Sequence, residues 1–174
     1  EELLRTALRS EAAGAPPLIE RVRARRLLGA VQLARGELSD CMQTTEEGLL
    51  LFGLRLPSAQ HEVARGLLQV LWTQGQLRLR EIFPRLSVPS LPAALQSREA
   101  LDEAYGLFAT HGEGALYLCA EVRLLYCALC CVNLADHTGD AAQRLFSYSA
   151  MSYSASVVPL PSVSALYLRR AHSL

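Results

Sequence analysis

The chain has 174 residues, of which 51% are apolar by a broad count and only 20% are charged. No lysine is present, and the 17 arginines equal the 17 acidic residues in number, so net charge gives no attraction to nucleic acid or to an anionic membrane surface. This length suffices for one domain, or a short array of helices, with a core of its own.

Leucine and alanine dominate the chain while β-branched residues are sparse, which favours helices over strands. Glycine, proline and capping residues divide it into helices joined by short turns. The predicted helices are Glu1–Ala13, Leu18–Arg35, Leu38–Phe52, Ser58 to about Thr73, Arg98–Thr110, Ala115–Ala135, Ala141–Ser154 and Ser162 to the C-terminus, and Leu77–Phe83 is a candidate for a short further helix. Residues 84–97 are predicted to be a proline-rich loop. The predicted fold is therefore all-α, built from six to eight helices in antiparallel hairpins.

Particular residues are predicted to set the ends of these helices. Ser97 and Ser162 are predicted N-caps, because a serine hydroxyl accepts a bond from a free backbone N–H of the first turn. Gly75 is predicted to interrupt a helix. His111–Gly114 and Thr138–Asp140 are predicted to be tight connections between consecutive helices.

The segment Ala115–Ala135 is predicted to be the central helix. Wound as a helix it is apolar on nearly every side, and such a helix is covered by neighbours on more than one face. Its length also fits a membrane span, but Glu121 and Arg123 lie near its middle and would each cost roughly 2.5–3.5 kcal/mol on insertion scales. The buried helix is the preferred interpretation, and membrane insertion is the alternative.

One segment, Ala24–Pro57, resembles a tetratricopeptide repeat, a helical hairpin of about 34 residues. A Leu-Gly pair, an inter-helix glycine and two small residues match the repeat pattern, at Leu28-Gly29, Gly36, Cys41 and Gly48. Gln32 and Thr45 stand where the pattern has aromatic side chains. The resemblance implies hairpins stacked as a short tetratricopeptide-like array. In this interpretation residues 18–83 form the first repeats and residues 98–174 the later ones, within a single segment cut from a longer chain.

Three stretches carry a more particular resemblance: Ala34–Pro57, Leu116–Asp140 and Ser164–Leu174. Together they look like the tetratricopeptide-like helical-repeat tail of large multidomain AAA-type signalling ATPases. In that group the repeats follow an ATPase module and are often fused to class III adenylate or guanylate cyclase or serine/threonine kinase domains. The resemblance covers the chain from about Leu18 onward. It rests on the positions of the residues that end helices and on the spacing of the apolar residues. None of the ATP-binding or cyclase residues of that group can be assigned to a position of this sequence.

Motifs typical of catalysis were not found in the sequence. It has no phosphate-binding loop, whose essential lysine is missing, no nucleophile elbow and no His-Glu-x-x-His zinc motif. Gly112-x-Gly114 at a helix start could present backbone N–H groups to an anion, although a turn that needs glycine is the preferred interpretation. No catalytic, cofactor-binding or metal-ligating residue is therefore predicted, and this segment is not expected to be an enzyme.

Four of the five cysteines lie close together in the chain: Cys119, Cys127, Cys130 and Cys131, with Cys41 apart from them. On one helix they cannot form an ordinary disulfide framework, so thiols and a reducing, cytoplasmic location are expected. The last three fall at i, i+3 and i+4 and are predicted to be buried as small apolar side chains, together with Leu124, Leu125 and Ala128. A zinc site that includes His137 is the alternative.

The second predicted helix carries four arginines, Arg21, Arg23, Arg25 and Arg26. At 100° per residue these side chains scatter around the helix axis, which disfavours a nucleic-acid surface. A solvated, partly ion-paired face is predicted instead, with Glu20 and Glu46-Glu47 as partners. Further along, serines alternate with Tyr148 and Tyr153, which favours close helix approach over a polar groove.

These observations predict a non-catalytic interaction or regulatory scaffold. Stacked helical hairpins present a surface that binds a peptide, a neighbouring domain or another copy. The expected partner is a protein or a domain of the same polypeptide, with no nucleic acid, membrane or cofactor. The alternative is the regulatory tail of an ATP-binding cyclase or kinase, and small-molecule sensing between helices is a third possibility. The sequence identifies neither the partner nor the oligomeric state.

Overall fold

The computed structural model describes residues 16–57, 60–83 and 91–174. These residues form seven α-helices and one short 3-10 helix, Ala93–Leu95, and contain no strand. The α-helices are α1 (Leu18–Ala34), α2 (Leu38–Leu51), α3 (Gln60–Ile82), α4 (Arg98–Tyr117), α5 (Glu121–Thr138), α6 (Ala141–Val157) and α7 (Pro161–His172). The all-α prediction is thus confirmed. The predicted helix Glu1–Ala13, the start at Ser58 and most of the predicted loop, residues 84–90, lie outside the described residues.

The helices pack as two compact units that alternate along the chain. Of the described residues, 16–56 and 92–118 form the first unit, and 57, 60–83, 91 and 119–174 form the second. In the first unit α1, α2 and α4 pack against one another in all three pairs. In the second unit α3 packs on α5, α5 on α6, and α6 on α7. Each unit therefore takes helices from both of the predicted repeat segments, residues 18–83 and 98–174.

Glycine sets the close approach of helices in the first unit. A Cβ atom added at Gly29 of α1 would lie 2.8 Å from the Thr45 side chain of α2, and one at Gly48 of α2 would lie 2.9 Å from Leu107 of α4. Both distances are below any normal carbon–carbon contact. Gly29 and Gly48 are two of the positions that match the tetratricopeptide pattern, and here their missing side chains let the helices approach.

The predicted central helix Ala115–Ala135 is wrong as a single helix. The structure ends α4 at Tyr117 and begins α5 at Glu121. Between them Cys119 adopts a positive φ of 53°, a conformation that is uncommon for residues other than glycine. No glycine or proline marks this break. The chain leaves the first unit and enters the second here, so packing within the two units overrides local helix propensity.

The prediction of a connection at His111–Gly114 is also wrong, because these residues continue α4. A Cβ atom at Gly114 would lie 3.0 Å from the sulfur of Met42 in α2. His111 and Gly112 are buried on the helix as well. These glycines allow close packing instead of a turn, so the suggested anion site at a helix start is excluded at this position.

Two further helix ends differ from the prediction, and three agree with it. Gly75 does not interrupt α3, because it lies inside a continuous helix. The last helix begins at Pro161 with Leu160 as its N-cap, so Ser162 is not the cap; proline at the first position has no N–H that would need a partner.

Ser97 does cap α4, by accepting a bond from the Ala100 N–H. The predicted glycine turns after α1 and α5 are confirmed by the positive φ angles of Gly36 and Gly139.

The core of the second unit lies between α5, α6 and α7. It contains Leu125, Ala128, Leu129 and Val132 from α5, Tyr148, Met151 and Ala155 from α6, and Tyr167 and Ala171 from α7. The predicted burial of Leu124, Leu125, Cys127, Ala128 and Cys131 is confirmed. Ser152 of α6 donates a hydrogen bond of 3.0 Å to the Ser164 carbonyl of α7, which agrees with the predicted role of the serines in close helix approach.

Alanine at Gly29 is predicted to destabilise the fold, whereas alanine at Gly75 stabilises it. The new methyl group at position 29 meets Thr45, which is fully buried and β-branched and cannot swing away; the expected loss is about 1–3 kcal/mol. At position 75 no atom lies within 4 Å, so Gly75→Ala gains about 0.5–1 kcal/mol of helix propensity. Urea unfolding of both variants in dilute solution measures the difference, and equal effects would contradict the packing account.

Candidate functional site

The first unit contains a buried carboxylate held by two arginines. The Glu103 side chain on α4 is 6% exposed, and its two oxygens accept bonds of 2.8 Å from Arg23 Nε and 2.6 Å from Arg26 Nε of α1. Arg23 also donates to Glu99 of α4. Since both oxygens of Glu103 accept from guanidinium groups, this carboxylate is a structural anchor and is poorly placed to act as a general base.

A glycine makes the contact with Arg26 possible. Gly106 lies three residues after Glu103 and so shares its face of α4. A Cβ atom at Gly106 would lie 2.3 Å from Cδ of Arg26, so the arginine stem crosses the helix where a side chain is missing. The predicted ion pairing of the α1 arginines is therefore confirmed, but the face is only partly solvated, and the main partners, Glu99 and Glu103, differ from the predicted ones. Of the predicted partners, Glu47 lies 3.9 Å from Arg25.

The second unit contains a buried carboxylate with a larger set of donors. The Asp136 side chain on α5 is 7% exposed. Its Oδ2 accepts bonds from Gln74 Nε2 at 3.1 Å and from Arg78 of α3, and its Oδ1 accepts a bond of 2.6 Å from the Tyr148 hydroxyl of α6. Arg144 lies 3.9 Å from Oδ1. Asp136 thus joins three helices.

Arg78 also contacts the Tyr148 side chain. Its guanidinium lies 5.5 Å from the centre of the Tyr148 ring and donates a bond of 3.2 Å to the Tyr148 hydroxyl. A cation over an aromatic face is favourable when both are shielded from water. Next to it, Asn133 donates a bond of 3.1 Å to the Val70 carbonyl of α3. These contacts orient α3 on α5, and both Asp136 oxygens accept hydrogen bonds from the protein.

Removing the Asp136 carboxylate is predicted to destabilise the protein strongly. In Asp136→Ala the largely buried Arg78 guanidinium loses its ion pair with Asp136, which costs about 3–5 kcal/mol. The matched control is Asp102→Ala, which breaks the solvent-exposed Arg98–Asp102 pair of 3.1 Å and should change stability by less than about 1 kcal/mol. Urea midpoints and slopes measure both, and similar losses in the two variants would contradict the anchoring role of Asp136.

The cysteine cluster of α5 is buried. Cys127, Cys130 and Cys131 are all among the buried residues. Burial raises the pKa of the Cys130 thiol to about 12 and that of Cys127 well above its usual value. A thiol in this state is protonated at neutral pH, whereas a nucleophile or a zinc ligand must be a thiolate. Across the described ranges, no three His, Cys, Asp or Glu side chains are grouped so that they could hold a metal ion.

Only one of the five thiols is predicted to react rapidly with a thiol reagent. Cys119 is exposed, whereas Cys41 and the three cysteines of α5 are buried. Titration of the native protein with a chromogenic disulfide should therefore show one fast equivalent, and Cys119→Ser should remove it. Cys41→Ser is the control that leaves the fast phase in place. Rapid reaction of a second thiol would contradict the buried state of the cluster.

Two polar residues occupy buried positions where the tetratricopeptide pattern has aromatics. Gln32 is 3% exposed and Thr45 is fully buried. The Thr45 hydroxyl donates to the Cys41 carbonyl at 2.8 Å, so its oxygen accepts the 2.9 Å bond from Nδ1–H of the buried His111. The pair joins α2 to α4 inside the first unit. The sequence did not predict this hydrogen bond, because the residues around His111 were interpreted as a turn and not as part of a helix packed on α2.

A surface groove lies in the first unit between α1 and α4. We call it the α1–α4 groove. It has a volume of about 740 Å³ and is lined by Ala30, Leu33, Ala34, Gly36, Leu38, Thr110, Glu113 and Tyr117. The α4 side is a single stripe, since Thr110, Glu113 and Tyr117 follow one another at three- and four-residue intervals. This volume is within the range of about 300–1,000 Å³ that is typical of ligand-binding clefts.

No family model, no curated protein and no solved structure matches the chain. None of the helices in the described part of the chain combines the length and apolar character needed to cross a membrane. The surfaces and side chains described above are therefore the basis on which we infer a function.

Proposed function

We propose that this chain is a non-catalytic protein-interaction scaffold and that its α1–α4 groove binds a short peptide segment of a partner protein or of a neighbouring domain. The observation that carries the proposal is the groove itself, an open surface groove of about 740 Å³ whose lining includes two leucines and two alanines. The two buried carboxylates described above already have their oxygens occupied, so neither offers a competing reactive site.

The lining of the groove indicates what kind of peptide it accepts. Five of its eight lining residues are alanine, leucine or glycine, and Glu113 is the only charged one among them. The Glu113 side chain is exposed, as is that of Tyr117. An aliphatic side chain would fill the apolar part, while a neighbouring arginine or lysine would pair with Glu113. The proposed ligand is therefore a peptide with adjacent aliphatic and basic residues.

The location of the groove agrees with the sequence resemblance. One of its walls is formed by the end of α1 and the turn into α2, and this hairpin is the segment that resembles a tetratricopeptide repeat. Stacked helical repeats use the concave surface between successive hairpins for binding. The anchor formed by Arg23, Arg26 and Glu103 supports this use, because it fixes α4 against α1 and so sets the two walls of the groove.

A panel of labelled short peptides tests the proposal by fluorescence anisotropy with the whole chain. Peptides with leucine next to arginine should bind, and the same peptides with glutamate in place of arginine should not. Glu113→Arg should weaken binding of the basic peptides about tenfold or more, which corresponds to about 1.4 kcal/mol. Ala34→Trp should abolish binding, because the indole would fill the groove.

Two variants on exposed helix positions of the second unit serve as matched controls. Glu121→Arg makes the same charge change and Ala142→Trp makes the same change of size, both at exposed positions that are not among the residues lining the groove. Neither should alter peptide affinity. Failure of every peptide to bind, or binding that survives both Glu113→Arg and Ala34→Trp, would overturn the proposal.

A further inference from the structure

One side of α1 carries a row of exposed apolar residues. We call it the α1 outer row, and it consists of Leu27, Ala30, Val31 and Ala34, at the spacing i, i+3, i+4 and i+7. Leu27 is 42% exposed and Val31 is 36% exposed. Two members of the row, Ala30 and Ala34, also line the α1–α4 groove. The row and the groove therefore form one continuous surface.

Contacts on the other sides of α1 fix the direction of this row. Arg26 bonds to Glu103 of α4, and Gly29 lies against Thr45 of α2. Because these contacts fix the rotation of α1 about its axis, the outer row points away from both neighbouring helices. An apolar row in this position is stabilised when a second apolar surface removes it from water.

The chain itself has a matching segment directly before α1. This segment lies outside the described residues, and its sequence predicts the helix Glu1–Ala13. One side of that predicted helix is apolar, with Leu3, Leu4, Ala7 and Leu8 at the spacing i, i+1, i+4 and i+5. Leu4 and Leu8 are each followed by arginine, which is the combination of aliphatic and basic residues proposed for ligands of the groove.

The connection to α1 sets the direction in which this segment runs. Four residues, Gly14–Pro17, separate the predicted helix from Leu18, and helices joined by about two to five residues form antiparallel hairpins. At about 1.5 Å per residue, a helix over residues 1–13 is about 20 Å long, and Ala30 lies about 18 Å along α1 from Leu18. The segment is thus long enough to cover the α1 outer row as far as the near end of the groove.

The short connection also predicts which residues meet. In an antiparallel hairpin closed at Gly14–Pro17, Leu4 lies level with Leu27 and Ala7 lies level with Ala24. The two leucines cover each other, and the two alanines let the helices approach closely one turn away, since the distance between packed helices depends on the side chains at the contact.

The charged residues of the segment are compatible with this register. Arg5 and Arg9 fall on the side of the predicted helix that faces away from the apolar residues. Glu11 falls on the packed side, level with Glu20 of α1, which is exposed. Interactions between exposed charges are weak, and Arg23, one turn further along α1 with 43% of its side chain exposed, offsets the repulsion between these carboxylates.

We infer that residues 1–13 of this chain bind along the α1 outer row and cover the near end of the α1–α4 groove, where they compete with a peptide ligand. A segment on a short tether acts at a local concentration of about millimolar, so a contact smaller than a standard interface suffices to hold it. The docking depends on α1 alone, whereas the competition rests on the proposed function of the groove.

Disulfide trapping in the whole chain tests the docking without any peptide. In a Cys119→Ser background, which removes the exposed thiol, Ala7→Cys with Ala24→Cys should form an intramolecular disulfide at least tenfold faster than Thr6→Cys with Ala24→Cys. Thr6 lies on the side of the predicted helix away from the apolar residues, so it is the matched control. A segment that moves near α1 without binding would bring both cysteines to position 24 equally often, and equal rates would overturn the inference.

Peptide affinity of the whole chain tests the competition. Leu4→Asp should release the segment and strengthen binding of the leucine–arginine peptides about tenfold, which is the change expected when the segment occupies the row about nine-tenths of the time. Thr6→Asp adds the same charge on the other side of the predicted helix and should leave affinity unchanged. Unchanged affinity in Leu4→Asp would overturn the competition. If no peptide binds any variant, the proposed function fails, and the disulfide rates alone decide the docking.

Discussion

Each unit of this fold is organised around one buried carboxylate that arginine neutralises from a helix distant in the sequence. An uncompensated buried charge is costly, so such a group constrains the helices that approach it. In the first unit Glu103 accepts from Arg23, 80 residues earlier. In the second unit Asp136 accepts from Arg78, 58 residues earlier. Both contacts select which helices become neighbours, whereas apolar packing alone tolerates many arrangements.

The surfaces with proposed functions depend on the first of these anchors. Glu103 fixes α4 on α1, and the α1–α4 groove lies along that pair. The same contact fixes the rotation of α1, and this rotation turns Leu27 and Val31 outward. The polar contact is buried, whereas the proposed binding surfaces lie on the exposed sides of the same helices. Binding would therefore use helices whose position and rotation are already fixed by the buried contacts.

Local signals in the sequence predicted most of the helices and several of their ends. Gly36 and Gly139 were found because a turn with positive φ needs glycine, and Ser97 because a cap needs a side-chain acceptor. The break near Cys119 was missed, since no breaker residue marks it. Gly112 and Gly114 were assigned to a turn because the sequence does not show that Met42 packs against α4. A glycine that admits a neighbouring helix has the same sequence signature as a glycine that ends one.

The candidate surfaces were less predictable than the helices. The α1–α4 groove forms only because α4 packs beside α1. The sequence does not show this pairing, since the chain between the two helices includes α3, which belongs to the other unit. Glu103 resembles an ordinary solvated residue of a helix until Arg23 and Arg26 are placed against it. The α1 outer row is equally hidden, because the side of α1 that faces outward depends on where α2 and α4 pack. These are consequences of long-range pairing, which periodicity within one helix does not report.

The alternation of the two units along the chain has a consequence for how the protein is made. At about 5–20 residues per second of synthesis, the 58 residues from Arg78 to Asp136 take roughly 3–12 s, during which α3 has left the ribosome without its α5 partner. The first unit likewise waits for α4. Neither core can close until its last helix has emerged, which is α4 for the first unit and α7 for the second. A polypeptide that stopped between residues 57 and 118 would leave both units unfinished.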